Sequence, residues 1–542
     1  MNILSSEETR RIRISAGIIF KWLSICIFIL LILSPLFILV AKSAGYFTEN
    51  PEKALALLLI SDRRLALLGT SIGLALAVSL TATLIGLLAA ILLWRFNTGI
   101  LSYLRWFVLI LAPIPPYIHA LAWSSSMQEF NGLLQGIVNI PFQGWIASWW
   151  VQFMSLLPLA IALSLIGLKS VEPLLNEAAR VIRSDFQCFI RIVLRIAMPM
   201  ILAGGGILLL LSITDYSIPY LFQLNVYSLE IFAEFSASNE PASAFLTALP
   251  LLIIAVVIVI LSQYGFRNLS QGSSWHKPSW SVKPCWPTWF SIIQWIAIIL
   301  VLFQLIVPLI SLLTSTATWA NIIRATTSAV NEINSTAVIA LLAALISLPL
   351  AFGVASQLFK HRRIAWLWWI LILLPVALPP SLVGIGLISL WNQPLPINVY
   401  DSTAMPIMAA LVRYITFAII ILAVQFKYVD SLLIDAAHIF QRNQFQTWIT
   451  IWLPMLLPGL IAAASIVFIM TIGELGATVL VIPPGQSTLT LRIYNFLHYG
   501  ASSTVAGLCL VIVIGMLIAG SVAVGSLVWW SHLSIKGQSN QS

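Results

Sequence analysis

Charge is what this chain of 542 residues has least of: Asp, Glu, Lys and Arg together make up 8% of it. A soluble globular chain carries about 25% charged residues to hydrate its surface, so a water-exposed fold is excluded. Acids are scarcer than bases, 18 against 27, which leaves a net charge of +9. That excess does not point to nucleic acid, because the bases sit in alternate short loops instead of one patch. Cysteine is scarce as well. Cys26, Cys188, Cys285 and Cys509 form no CxxC pair, so neither a disulfide framework nor a thiolate zinc site is supported. The six histidines are scattered, with no metal-ligand spacing. There is no GxxxxGK[ST] and no HExxH, which removes a phosphate-cradling loop and a zinc-protease helix. No catalytic, metal or cofactor site is expected.

What the chain has instead is apolar length. Hydrophobic residues make up 60% of it, in continuous blocks near or above the roughly 20 residues that cross a bilayer as helix. A β-barrel would alternate polar and apolar residues over ten-residue segments, and these runs do not. The expected fold is an all-α integral membrane protein with spans near 18–41, 65–94, 104–124, 147–168, 198–216 and 244–263, then 288–312, 334–358, 364–390, 405–426, 456–480 and 502–529. The run from Ile18 to Val40 is longer than a cleavable signal core of about 7–15 residues, so it reads as an uncleaved first span.

The loops orient these spans. Arg95 and Arg105 follow span two; Lys169, Arg180, Arg183, Arg191 and Arg195 follow span four; Arg267, Lys277 and Lys283 follow span six; Lys360, Arg362 and Arg363 follow span eight; Lys427 and Arg442 follow span ten. Segments 125–147, 217–243 and 391–404 have no Lys or Arg. By the positive-inside rule both termini are cytoplasmic, with Arg63, Arg64 and Arg324 as exceptions on the outer side. Trp145, Trp149, Trp150, Trp366, Trp368, Trp529 and Trp530 fall near the expected interfaces, as belt residues do.

An internal repeat divides the chain. LKSVEPLLNEAA from Leu168 matches FKYVDSLLIDAA from Phe426 at six of twelve positions, at an offset of 258 residues. Pro115-Pro116 returns as Pro379-Pro380 and Thr70-Ser71 as Asn334-Ser335, both at offset 264; Pro199 returns as Pro458 and Asp215 as Glu474, both at 259. The reading is two parallel six-helix halves, residues 1–263 and 288–542, joined by a cytoplasmic linker over 264–287 that is rich in Ser, Pro and Trp. Halves that face the same way are related by an axis along the membrane normal, with a pathway between them.

The repeat is strongest in a cytoplasmic loop. In the second copy Asp435-Ala436-Ala437 opens a helix-like stretch, Leu453 and Pro454 close it, and Phe440, Phe445 and Trp448 give it an apolar side. A surface helix of this kind lies on the membrane or enters a partner's groove. These residues resemble the EAA loop of the permease subunits of ABC importers, which reads Glu-Ala-Ala, a Gly six residues after the Glu, then Ile-x-Leu-Pro. Glu177-Ala178-Ala179 matches in half one, within a loop over 169–199, and Asp435-Ala436-Ala437 with Ile451, Leu453 and Pro454 matches in half two, within 427–458. Arg183 and Gln441 stand at the Gly position, and half one is one residue short. The stretch from Gly473 to Gly500 is similar to the fused double permeases of the iron(III)/thiamine type. The resemblance implies a type I importer fold in the inner membrane. It further implies two copies of an ABC ATPase docked on the loops and binding ATP, and a periplasmic or lipid-anchored solute-binding protein above. Ferric iron is the first solute it suggests, with thiamine or another small solute as alternatives.

Charge inside a span is costly and marks function or pairing. Asp215 and Glu474, repeat partners near the outer ends of spans five and eleven, either face the pathway, where they favour a cation, or accept hydrogen bonds at a helix break. Arg413 lies within span ten opposite Ser155 in the repeat, and reads as the partner of one acid or as an anion contact. His119 in span three is a further pathway candidate. Pro113, Pro115, Pro116, Pro375, Pro379 and Pro380 are expected to break spans three and nine. Two rivals stand beside the importer: an ion-coupled secondary transporter, and a membrane enzyme acting on lipid. The first needs ion sites at mid-membrane and the second an interfacial His/Asp/Glu cluster, and the sequence offers few residues for either.

Overall fold

The computed structural model describes residues 4–95, 114–133, 141–172, 175, 178, 180–181, 184–270, 285–316, 318–360, 362–393, 399–427, 429, 452–497 and 503–539. Every regular element among the described residues is helical. Lipid offers backbone N–H and C=O groups no partner, so each apolar run satisfies its own as helix. Among the described residues, ten helices are long and apolar enough to cross a membrane, or eleven if one bent pair counts as a span. The expected span three falls partly outside the described residues; its described helix starts at Pro116.

Helix α1 (Leu4–Glu49) is followed by a short α2 (Pro51–Leu58), then α3 (Asp62–Arg95), α4 (Pro116–Leu133), α5 (Gly144–Lys169) and α6 (Asp185–Thr214). Next come α7 (Ser217–Leu221), α8 (Tyr227–Ser238) and α9 (Pro241–Ser270). The second series runs α10 (Thr288–Thr316), α11 (Trp319–Ser328), α12 (Val330–Lys360), α13 (Ala365–Ala377), α14 (Pro380–Trp391), α15 (Ala404–Lys427) and α16 (Leu453–Ile472). It ends with α17 (Thr478–Val481), α18 (Leu489–Leu497) and α19 (Ser503–Ser539).

The two series pack alike. Helices α3, α5, α6 and α9 form one four-helix group, and α12, α15, α16 and α19 pack through the corresponding pairs. The first helix of each series reaches into the other. Helix α1 lies against α9, α12 and α14, and α10 lies against α19, α3 and α4. Small residues permit the close approaches. A Cβ on Gly386 of α14 would stand 2.8 Å from the Pro35 carbonyl oxygen of α1. In α6 three successive glycines face three helices: a Cβ would meet Leu163 from Gly204, Thr83 from Gly205 and Ser262 from Gly206. Close backbone approach through small residues is how helices associate where lipid is as apolar as they are.

In the loop between spans four and five, where a short helix is expected ahead of span five, Leu175, Ala178 and Arg180 are helical among the described residues; α6 begins separately at Asp185 and passes through one π turn at Phe189–Val193 before Pro199. The linker expected from 264 is helical up to Ser270; residues 271–284 lie outside the described set. The proline break does occur: α13 and α14 meet at 95° across Leu378-Pro379.

Candidate translocation site

Helices α6 and α16 both stop at an acid, and the acid explains the stop. Asp215 Oδ1 accepts the N–H (2.9 Å) and hydroxyl (2.6 Å) of Ser217, which pulls the chain out of α6 and into α7. Its Oδ2 accepts the amide of Gln152 on α5 at 3.0 Å; Gln152 Oε1 in turn accepts the Ser212 hydroxyl at 2.5 Å. Glu474 acts in the same way. It accepts the N–H groups of Ala477 (3.0 Å) and Thr478 (2.8 Å), the Thr478 hydroxyl, and Nη1 of Arg413 on α15. Glu474 is 3% exposed, whereas Asp215 and Arg413 are partly accessible.

The two turns meet. The Tyr216 hydroxyl donates to the Gly476 carbonyl at 3.0 Å, and Tyr117 and Thr490 hydroxyls lie 3.3 Å apart. Arg413 is felt electrostatically by Asp215 as well as by Glu474. The Glu474 turn is wedged between both proline breaks: a Cβ would stand 2.6 Å from Pro115 at Gly473 and 2.7 Å from Pro380 at Gly476. The structure thus brings Asp215, Glu474 and Arg413 together, each acid as the organiser of a helix break. His119 goes elsewhere. Its Nε2 lies 3.5 Å from the Gln304 amide nitrogen of α10, on the flank that this helix covers.

Arg413 has its geometric counterpart in Gln152, not in Ser155. Ser155 is one turn further along and donates its hydroxyl to the Gln152 carbonyl at 3.0 Å. The uniform offset missed Gln152 because the register slips between loop and span. A lone amide within the run WWVQFMSLLPLA was the signal available for it.

On this side of the molecule the ends of both groups are fastened in parallel ways. The first N–H of α8, at Tyr227, donates to Ser71 Oγ of α3 at 2.7 Å, and the first N–H of α18, at Leu489, donates to Thr336 Oγ1 of α12 at 2.8 Å. Three residues on, Glu230 binds Arg63 at 2.8 Å, whereas Arg492 binds Glu332 at 2.6 Å. The fastening is repeated with its charges reversed. Arg64 completes the first set at 3.3 Å from Glu234, so Arg63 and Arg64, out of place by loop charge, are both neutralised. Gly69-Thr70-Ser71-Ile72-Gly73 has the spacing of a nucleophile elbow, but it lies inside α3 and not on a strand-to-helix turn. Beside the end of α4 lies a cavity of about 400 Å³ lined by Ser124, Gln128, Asn131, Gln143, Phe222 and Gln223, among others.

At the opposite end, Leu175, Ala178 and Val181 are exposed, Val181 by 86%. Leu453 and Pro454 open α16, with Pro454 in the first turn, where its missing N–H has no partner to lose. Glu177, Ala179, Asp435, Ala436, Ala437, Phe440, Phe445 and Trp448 lie outside the described residues. Asp185 accepts Arg180 Nε at 2.8 Å and the Cys285 N–H at 2.6 Å. Phe186 and Phe189 pack their rings on Trp286, Trp289 and Phe290. The start of the second series is therefore stapled to the segment that opens α6.

No protein-family model matches the chain. It is 26% identical over 140 residues to a permease protein named for 2-aminoethylphosphonate transport in Salmonella paratyphi A, covering 26% of this chain and 52% of that one. It is 23% identical over 209 residues to one named for ferric transport in Haemophilus influenzae, covering 35% of this chain and 32% of that one. It is 28% identical over 204 residues to a molybdenum transport system permease protein of Haemophilus influenzae, covering 32% of this chain and 88% of that one. The match spans about half the length of the first of these relatives. Over these segments, then, the chain is similar to proteins named as permeases of transport systems for small solutes.

Proposed function

We propose that this chain is the whole transmembrane part of an ATP-driven importer, with twelve spans in two parallel six-helix halves and both termini in the cytoplasm of an inner-membrane system. Two copies of an ABC ATPase bind ATP and drive it from below, and a solute-binding protein loads it from above. The parallel packing of the two series, with each first helix reaching into the other, supports the two-half reading. The observation that carries the ATPase is the apolar row Leu175, Ala178 and Val181, three residues apart in the segment where the repeat is strongest. Side chains at that spacing share one face of a helix, and an exposed apolar face at the end of a bundle fits a partner's groove. Alternating access follows. ATP closes the partner pair, the loops are drawn together, and the halves rock about their interface; the chain itself makes and breaks no covalent bond.

The solute is one of several classes, since the relatives are named for an aminophosphonate, ferric iron and molybdenum. Ferric iron, which the resemblance suggests, also drew on two acids facing a pathway. Arg413 now stands with them, so the acids alone no longer favour a cation. Affinity purification from native membranes tests the importer reading: an ATPase is expected at two copies per chain, lost on Val181→Asp. Recovery without any ATPase, with transport driven by a proton or sodium gradient, would establish the secondary transporter instead.

A further inference from the structure

The two halves differ at one matched point. Helix α5 sets neutral Gln152 against Asp215, and α15 sets cationic Arg413 against Glu474. A carboxylate offers about four acceptor positions. Glu474 fills four: two N–H groups, one hydroxyl and one guanidinium. Being buried as well, it has nothing left for a solute. Asp215 fills three, all from neutral donors, and is partly accessible. Arg413 gives Nη1 to Glu474, and its side chain is 18% exposed. A guanidinium has five N–H donors, so donors remain. A solute at this junction meets one carboxylate edge and one guanidinium edge that act on each other electrostatically.

From this we infer that the junction of the two halves recognises a small zwitterion, with one cationic and one anionic group a few ångströms apart. The inference rests on the importer reading and names its solute class. A bare cation is drawn to Asp215 and repelled by Arg413, and a bare anion meets the reverse; neither recovers the hydration it gives up. A molecule carrying both charges gains at both ends, through charge-assisted hydrogen bonds. Two glutamines at the matched positions would have left no guanidinium edge, and two arginines would have engaged both acids. The mixed pair leaves Asp215 answered only by neutral donors, and leaves donors on Arg413 beyond its bond to Glu474.

The test is uptake by cells that carry the native system, with the chain present or deleted, using labelled 2-aminoethylphosphonate as the zwitterion probe beside ferric citrate and molybdate. Chain-dependent uptake of the zwitterion is expected. Asp215→Asn and Arg413→Gln should each lower it by about tenfold or more, the loss of one charge-assisted contact, and ethylphosphonate, which lacks the amine, should compete poorly. Gln152→Arg leaves Glu474 paired and brings a guanidinium to Asp215, so it too should lower uptake. Chain-dependent uptake of ferric ion or molybdate without the zwitterion overturns the inference. So does zwitterion uptake that ignores all three substitutions, or no chain-dependent uptake of any probe. Co-purification of the ATPase with each variant keeps these outcomes apart from failure of the importer reading, which would show as no ATPase on the unsubstituted chain.

Discussion

Replacing Arg413 by glutamine leaves Glu474 charged in a site where its side chain is 1% exposed. Its remaining donors are two backbone N–H groups and the Thr478 hydroxyl, none of which carries a countercharge. Removing one member of a buried ion pair costs about 3–5 kcal/mol, because the other is left uncompensated. Arg413 is itself partly accessible, and water already screens some of the pair, so the lower figure, about 3 kcal/mol, is the expectation. That is roughly a hundredfold change in the unfolding equilibrium. Glu474→Gln in the same background removes the stranded charge and keeps an acceptor for the α17 turn. The double variant should therefore recover about 2 kcal/mol of the loss, a coupling of the size seen between residues in direct contact. Unfolding of the purified chain in mixed micelles, followed by tryptophan fluorescence, reads all three variants. If Arg413→Gln costs under about 1 kcal/mol, as an exposed pair does, or if the two substitutions simply add, the buried-pair account is wrong.

Two further outcomes follow from packing and from the staple. Gly265→Ala would place a Cβ 2.1 Å from the Pro199 carbonyl oxygen, while Gly73 has nothing within 4 Å. The first should destabilise by about 1–3 kcal/mol or more, since backbone must move, and the second should be neutral or stabilise by about 0.5–1 kcal/mol; equal effects in the same unfolding assay would refute the close approach. Asp185→Ala removes the acceptor of Arg180 and of the Cys285 N–H. Hydrogen exchange over residues 285–290 should quicken by about tenfold, as expected on losing a bond of roughly 1.5 kcal/mol to a charged group; an unchanged rate would show that ring packing alone holds the segment.

Much of this was legible in the chain itself, for physical reasons. Apolar runs long enough to span a bilayer have only one way to satisfy their backbone, so helices were certain wherever such runs occur. The Arg413 pairing was legible because a charge in lipid has to be answered within reach. Both acids did prove to accept hydrogen bonds at helix breaks, the quieter of the two readings. Gln152 escaped notice because an uncharged amide costs a span less than a full charge does, and because the repeat offset slides from 258 at the loop to 259 at the acids and 264 at the prolines. The Gln304 neighbour of His119 was not legible because a helix's sequence does not say which neighbour each face meets, and α10 comes from the far half of the chain. The reversed fastening by Glu230 and Arg492 was hidden for a related reason. A comparison that seeks like residues at like positions passes over an acid replaced by a base, although each position has an oppositely charged partner.

The exchange of first helices has a bearing on synthesis. The flank formed by α3 and α4 is complete only when α10 arrives, nearly two hundred residues after α3 has left the ribosome. Helix α1 waits longer still, until α12 and α14 exist to receive it. The earlier-made portion must therefore persist in the bilayer with one side bare to lipid, and the polar Gln304 and His119 meet each other only once the later portion is made. Insertion and final assembly are thus separate events in time for this chain, and its later-made helices decide when the first ones come to rest.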